Sequence, residues 1–260
     1  MAIANDLWKV TFKNIPSWPC PSCQSSVVVL KQDSFHRLET ERSISLQAWV
    51  HSEPTQIEER FSALMQCQNE NCGEVVSIGG NVVTVEDHNE EEQTLNWSIV
   101  YEPKFLLPAP KIFPILDSCP DAVKIELERT FGLFWFDNGA SANGLRTAIE
   151  ALLNDLKIAR TFIKKKKRGE LTLHARIQKL EIKNSEAAEL LMAIKWLGNT
   201  GSHLADSAIP RDELLNGFDL FHGVIEMIYE KRAARLMKIA KTITKRKGRL
   251  PKKSGRVQTF

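Results

Sequence analysis

Between Val27 and Leu106, short runs of apolar and polar positions alternate with a period of two. After about residue 120 they recur at three- and four-residue spacing, so the chain divides into a β-rich part and a helical part. Alternation and β-branched residues predict strands at 27–30, 43–50, 61–66, 75–85 and 95–101, with Gly79-Gly80-Asn81 as a hairpin turn. Prolines at 103, 108, 110, 114 and 120 deny regular helix to the segment that follows and predict an extended connector.

Beyond the connector, a first helix is predicted from Pro120-Asp121 to Phe136, ended by Asp137-Asn138-Gly139. A second carries Leu145, Ile149, Leu152, Leu156, Ala159 and Ile163 on one stripe, which calls for partner helices rather than water. A third is short, at 173–182. A fourth begins at Ser185, a good N-cap, and runs to Leu197 with Leu190, Leu191, Ile194 and Leu197 inward. The fifth bears Leu214, Phe218, Phe221, Ile225 and Ile228 and continues into the C-terminal segment. The expected fold is therefore α+β. It has a β-rich module over 1–106, a proline-rich linker over 107–120, a helical bundle over 121–232 and a basic tail over 233–260.

Composition changes this picture in one respect. The net charge of +3 hides an asymmetry, because residues 231–260 hold twelve Lys or Arg and no acid, leaving 23 basic against 32 acidic residues, a net of −9, in the rest. Such a tail suits a polyanion, which gains affinity through counterion release, but it equally suits a solvated run. Its candidate nucleic-acid contacts are Lys245, Arg246, Lys247, Arg249, Lys252 and Lys253, and a second basic run is Lys164, Lys165, Lys166, Lys167 and Arg168. The second run reads as a solvated loop unless the fold sets it beside the tail. No apolar stretch is long enough to span a bilayer, and the N-terminus has no signal-like pattern, so a cytoplasmic chain without membrane contact is expected.

The candidate chemistry begins with two cysteine pairs, Cys20/Cys23 and Cys67/Cys72. Four thiolates at tetrahedral corners suit a structural zinc ion, and the first spacing and the glycine after the second pair are like zinc-ribbon knuckles. The four-residue gap before Cys72 is wider than the commonest one. The alternatives are four unconnected buried thiols or an adventitious disulfide. Cys119 reads as a core thiol.

The other candidate is Lys195-Trp196-Leu197-Gly198-Asn199-Thr200-Gly201-Ser202-His203, which sets an amide and an imidazole four positions apart where a helical pattern breaks. Together with Leu145-Arg146-Thr147-Ala148-Ile149-Glu150 some fifty positions earlier, this stretch resembles the domain of unknown function 4145, of the HEPN superfamily, over roughly residues 118–232. The cysteine pairs resemble the small zinc-binding segment that often precedes such domains.

The resemblance implies an HEPN-like helical bundle, commonly dimeric, of a class that includes metal-independent ribonucleases of anti-phage defence and toxin systems. Carried onto this chain, it makes His203 the general acid/base and Asn199 the positioning amide. The class's arginine is absent at the usual spacing, where Trp196, Leu197 and Gly198 stand, so Lys195 or Arg146 would stabilise the phosphate, with Glu150 holding Arg146 from one turn on. The expectation is thus RNA binding, RNA rather than DNA, with cleavage resting on those residues. The alternative is a non-catalytic module that dimerises or docks a protein partner. In simpler terms, His203 braces a turn, Arg146 and Glu150 form a surface pair, and Asn199 occupies a left-handed turn position. Phe134, Trp135 and Trp196 offer stacking surfaces, or core.

Overall fold

The computed structural model of the protein describes residues 5–47, 54–89, 94–164, 167–200, 209–230 and 232–247. Its first part is an antiparallel sheet of β1 (Trp18–Pro19), β2 (Val27–Leu30), β3 (His36–Glu39), β4 (Glu59–Cys67), β5 (Val75–Asn89) and β6 (Thr94–Leu107). The order is β1-β2-β4-β5-β6, with β3 also paired to β4. Alternation along β4 buries Phe61, Ala63, Met65 and Cys67 on one face.

Two of the expectations for this part are corrected. The segment begun at Ser43 is not a strand but opens as α1 (Glu41–Gln47). Here Thr40 caps the Ser43 amide, and Ser43 itself is buried with its hydroxyl donating to Glu39 and accepting from the Glu58 amide, so Ile44 and Leu46 face solvent. Gly79-Gly80-Asn81 is not a hairpin turn either. It lies inside β5 at a register shift, where a Cβ on Gly80 would fall 2.0 Å from the Glu102 carbonyl oxygen. The two glycines mark a close backbone approach at a bulge.

The connector runs from the end of β6 into α2, and it is packed rather than loose. Ile112, Phe113, Ile115 and Cys119 are buried, with the Phe113 ring edge-on to Phe131 and stacked on His222.

The helical part comprises α2 (Asp121–Phe136), α3 (Asn138–Asp155), α4 (Leu173–Glu181), α5 (Ser185–Thr200), α6 (Arg211–Tyr229) and α7 (Arg232–Arg246). Asp137 ends α2 and starts α3, its carboxylate accepting from the Ala140 amide. Helix α3 is the centre of the bundle, with Leu145, Ile149, Leu152 and Leu153 fully buried among α2, α5 and α6.

The predicted second helix is too long by two turns. Lys157 takes a left-handed conformation (φ 55°), and the Ile158 amide donates back to the Leu153 carbonyl, which stops the helix and buries Ile158. The chain then forms a hairpin of β7 (Thr161–Lys164) and β8 (Lys167–Glu170), on which Ile163 is 80% exposed. Of the lysine run, Lys164, Lys167 and Arg168 therefore lie on paired strands rather than in a solvated loop. Helices α6 and α7 are also separate, because Glu230 leaves the helical conformation between them.

The two parts share one core. Trp8 and Trp18 of the N-terminal part pack on Trp135, at ring separations of 5.9 and 5.3 Å. Arg211 stacks over Phe134 at 4.1 Å and donates to the carbonyls of both Phe134 and Lys9. Phe134 and Trp135 are thus core rather than stacking surface.

Candidate functional site

The four cysteines meet at one end of the sheet. Strands β1 and β4 both flank β2, and Val28 pairs with both Trp18 and Cys67, which brings Cys20 and Cys67 to the same end. The first knuckle closes when the Gln24 amide donates to the Cys20 carbonyl, with Gln24 left-handed (φ 52°). The second spans its wider gap through an Asn69-centred turn. Asn69 accepts from the amides of Asn71, Cys72 and Gly73, Gly73 being left-handed (φ 62°). Ser22 donates to Glu74 and ties one knuckle to the other.

All four Sγ atoms lie within 4.8 Å of one another, and the Cys20–Cys72 and Cys23–Cys67 separations are both 3.8 Å. A disulfide would need about 2.05 Å. A metal with bonds of about 2.3 Å to four tetrahedral sulfurs sets them about 3.8 Å apart. The set could therefore hold a metal ion, and the donor chemistry fits a soft or borderline cation. Hydrogen bonds with the Ser25 side chain and backbone pull the Cys23 thiol down to about 6, towards the thiolate a metal needs, while burial pushes Cys20 up. The Asn69 amide donates to the Cys67 sulfur at 3.4 Å, the support a bound thiolate receives from its second layer of contacts.

The second candidate lies where α3 crosses the end of α5. Gly198 and Asn199 belong to the last turn of α5, not to the loop after it, since the helix continues to Thr200. A Cβ on Gly198 would fall 2.4 Å from Cδ and 2.7 Å from Cγ of Arg146, so the arginine stem lies directly across the bare backbone. His203 lies outside the described residues, as does the side chain of Asn199.

Lys195 is buried, with its Nζ 3.4 Å from the centroid of the Trp196 ring. Trp196 is 56% exposed and meets the His174 ring edge-on at 6.3 Å. The sequence offered no signal for His174, a lone imidazole near the start of α4. Among the described residues no ion pair joins Glu150 to Arg146. Glu150 instead lines a polar cleft of about 310 Å³ with Arg160, Arg168, Glu170 and Arg176, between α3, the β7–β8 hairpin and α4.

The predicted basic residues are spread along the chain. Lys164, Lys167 and Arg168 lie on the hairpin, the latter two exposed, while Lys165 and Lys166 fall outside the described residues. Lys245 and Arg246 end α7 and Lys247 follows it, whereas Arg249, Lys252 and Lys253 fall outside. Among the described residues no helix is long and apolar enough to cross a membrane.

Comparison with known families agrees with this two-part architecture. Residues 128–256 match the family described as Domain of unknown function (DUF4145), and residues 9–111 match Domain of unknown function (DUF8608). The first match ends at Lys111 in the packed connector and the second begins at Glu128 within α2. No curated protein and no solved structure matches the chain.

Proposed function

We propose that this chain, with its C-terminal half matching the Domain of unknown function (DUF4145) family, is an RNA-directed protein of prokaryotic defence or toxin type. In this reading its helical part is an HEPN-like bundle, acting as a dimer, and its cysteine site is a zinc-ribbon-like module with one structural zinc. The observation that carries the reading is the seating of Arg146 on Gly198. It holds a guanidinium, with no carboxylate within 4 Å among the described residues, beside the helix end that leads to His203.

A phosphodiester bound there has its negative charge met by Arg146 as the 2′-oxygen attacks. His203 takes the proton from the 2′-hydroxyl or returns one to the leaving oxygen, and Asn199 positions the group. The arginine comes from a different helix than in the usual motif, so contact across the bundle replaces spacing along the chain. The exposed Trp196 supplies a face for base stacking, and the hairpin residues Lys167 and Arg168 with Lys245 and Lys247 supply salt-sensitive backbone contacts.

The test is incubation of zinc-loaded, full-length protein with mixed cellular RNA without added divalent metal, beside His203→Ala and Arg146→Ala. Cleavage to ends bearing a 2′,3′-cyclic phosphate, lost in both variants, is the expected result. Cleavage that persists in both, or RNA neither bound nor cut, overturns it. The partner-docking reading draws on a different observation, an apolar groove of about 690 Å³ lined by Leu107, Pro108, Ile125 and Leu133. RNA left intact together with a stable protein complex lost on Ile125→Glu would favour that reading.

A further inference from the structure

The cleft between α3, the β7–β8 hairpin and α4 gathers three guanidinium groups, of Arg160, Arg168 and Arg176, none with a carboxylate within 4 Å among the described residues. Arg176 is only 4% exposed. Its Nη2 donates to Asn154 Oδ1 at 2.7 Å and to the Ile158 carbonyl at 3.4 Å, both neutral acceptors, and its Nε is buried with no partner. A buried cation without a counterion is costly, and proteins tolerate one where something else supplies the charge. Burial acts most strongly against protonation of Arg176 and Arg160 adds to it, while Glu150 favours the charge from beyond ion-pair distance, so three arginines share this cleft with two carboxylates that pair with none of them.

The hairpin explains why they meet. Thr161 pairs with Glu170 and Ile163 with Arg168 across the ladder, and Arg168 Nε donates to the Thr161 hydroxyl at 3.3 Å. Arg160 precedes the first strand and is tied by its carbonyl to the Leu171 amide just after the second, which holds the open end of the strand pair together just before α4. The arginines come from three separate segments, a convergence that chance surface placement does not require.

We infer that this cleft is a binding site for a phosphate monoester borne on a hydroxyl-rich group, distinct from the Arg146 corner. A tetrahedral phosphate offers enough oxygens for several planar guanidinium forks, whereas a carboxylate offers two. The volume of about 310 Å³ exceeds what a phosphate alone fills. Glu150 and Glu170 line the same cleft without pairing to the arginines and accept hydroxyl or amine donors from the rest of the ligand. The phosphate belongs either to a free sugar phosphate or to the 5′ end of an RNA. The site shares Arg168 with the backbone contacts proposed above and Glu150 with the expected support of Arg146, but the inference does not rest on cleavage, since it uses none of Arg146, Asn199 and His203.

The test is titration of full-length, zinc-loaded protein with inorganic phosphate, with ribose 5-phosphate, and with a short RNA carrying either a 5′-phosphate or a 5′-hydroxyl. Ribose 5-phosphate should bind more tightly than inorganic phosphate. The exposed double variant Arg160→Gln/Arg168→Gln should lose roughly tenfold or more, and Arg146→Ala should lose nothing. Arg176→Lys, which keeps the charge and loses the fork with its bonds to Asn154 and Ile158, should weaken binding while the far-ultraviolet circular dichroism spectrum at the assay temperature stays that of the parent. An RNA preference for the 5′-phosphate, lost in the double variant, identifies the RNA end as the source. Its absence, with ribose 5-phosphate still bound, identifies a free ligand. Binding of neither phosphate form, or binding that the double variant leaves unchanged, overturns the site.

Discussion

The stem of Arg146 rests on the bare backbone of Gly198, so close that any side chain at 198 would have to displace it. The two positions are 52 residues apart in sequence, yet this packing fixes where the α3 guanidinium can reach.

Gly198→Ala therefore sets two effects against each other. The helix gains about 1 kcal/mol of propensity, and the crowding against Arg146 Cδ and Cγ takes at least that much away. Thermal melts should show the single change as neutral to destabilising and the same change in an Arg146→Ala background as less destabilising, the Ala142 carbonyl oxygen 3.1 Å from the new Cβ being the contact that remains. Equal effects in both backgrounds would mean that the two residues are not in contact.

The cysteine site predicts one equivalent of zinc per chain after purification under reducing conditions, measured by atomic emission. Cys67→Ser removes one of four ligands at a site with Sγ pairs 3.8 Å apart, and should abolish stoichiometric metal and lower the melting temperature by roughly 10 °C or more. Metal-free parent protein that melts normally would overturn the assignment.

Arg211 binds the two halves of the core. It is held between Phe134 and the Lys9 carbonyl, and burial pushes its pKa down to about 10. Arg211→Met should cost about 2–4 kcal/mol in denaturant unfolding, because carbonyls of both parts lose their donor and the ring of Phe134 loses its cation. The unfolding should stay a single transition, and proteolysis should not separate the halves at 108–120, where Ile112 and Phe113 are buried.

Cys119 gives a pH signature. Its thiol is 2% exposed, and burial pushes its pKa up to about 11 from an ordinary value of 9.0. With the folded pKa raised, the unfolded chain ionises first, so stability is complete below pH 9 and falls by about 2–3 kcal/mol as pH rises towards 11. Cys119→Val should flatten that decline in urea titrations at successive pH values. A decline of the same size in the variant would assign it to other groups.

Part of this organisation was legible because it is written in local spacing. The change of period near residue 120 marks where sheet gives way to helix. The Asp121 start and Phe136 end of α2 follow from a proline, an acidic first turn and a capping Asp137, and the two cysteine pairs have the spacing of paired metal ligands. Two of the errors fell where a distant partner overrode the local pattern, Ser43 meeting the Glu58 amide and Gly80 pressed on Glu102, and a third is a local left-handed turn at Lys157 that ends α3 with no glycine to signal it.

The order of sheet and helix, the spacing within each cysteine pair and most of the buried stripes of α3, α5 and α6 are legible in the chain alone, since each depends on residues within a few turns of one another. Only the tertiary structure decided that Trp18 and Trp135 join the two parts in one core, that Arg146 meets Gly198, and that Arg160, Arg168 and Arg176 surround one cleft. Those relationships arise from burial of the whole chain at once, which brings together groups whose separation along the sequence carries no periodic trace.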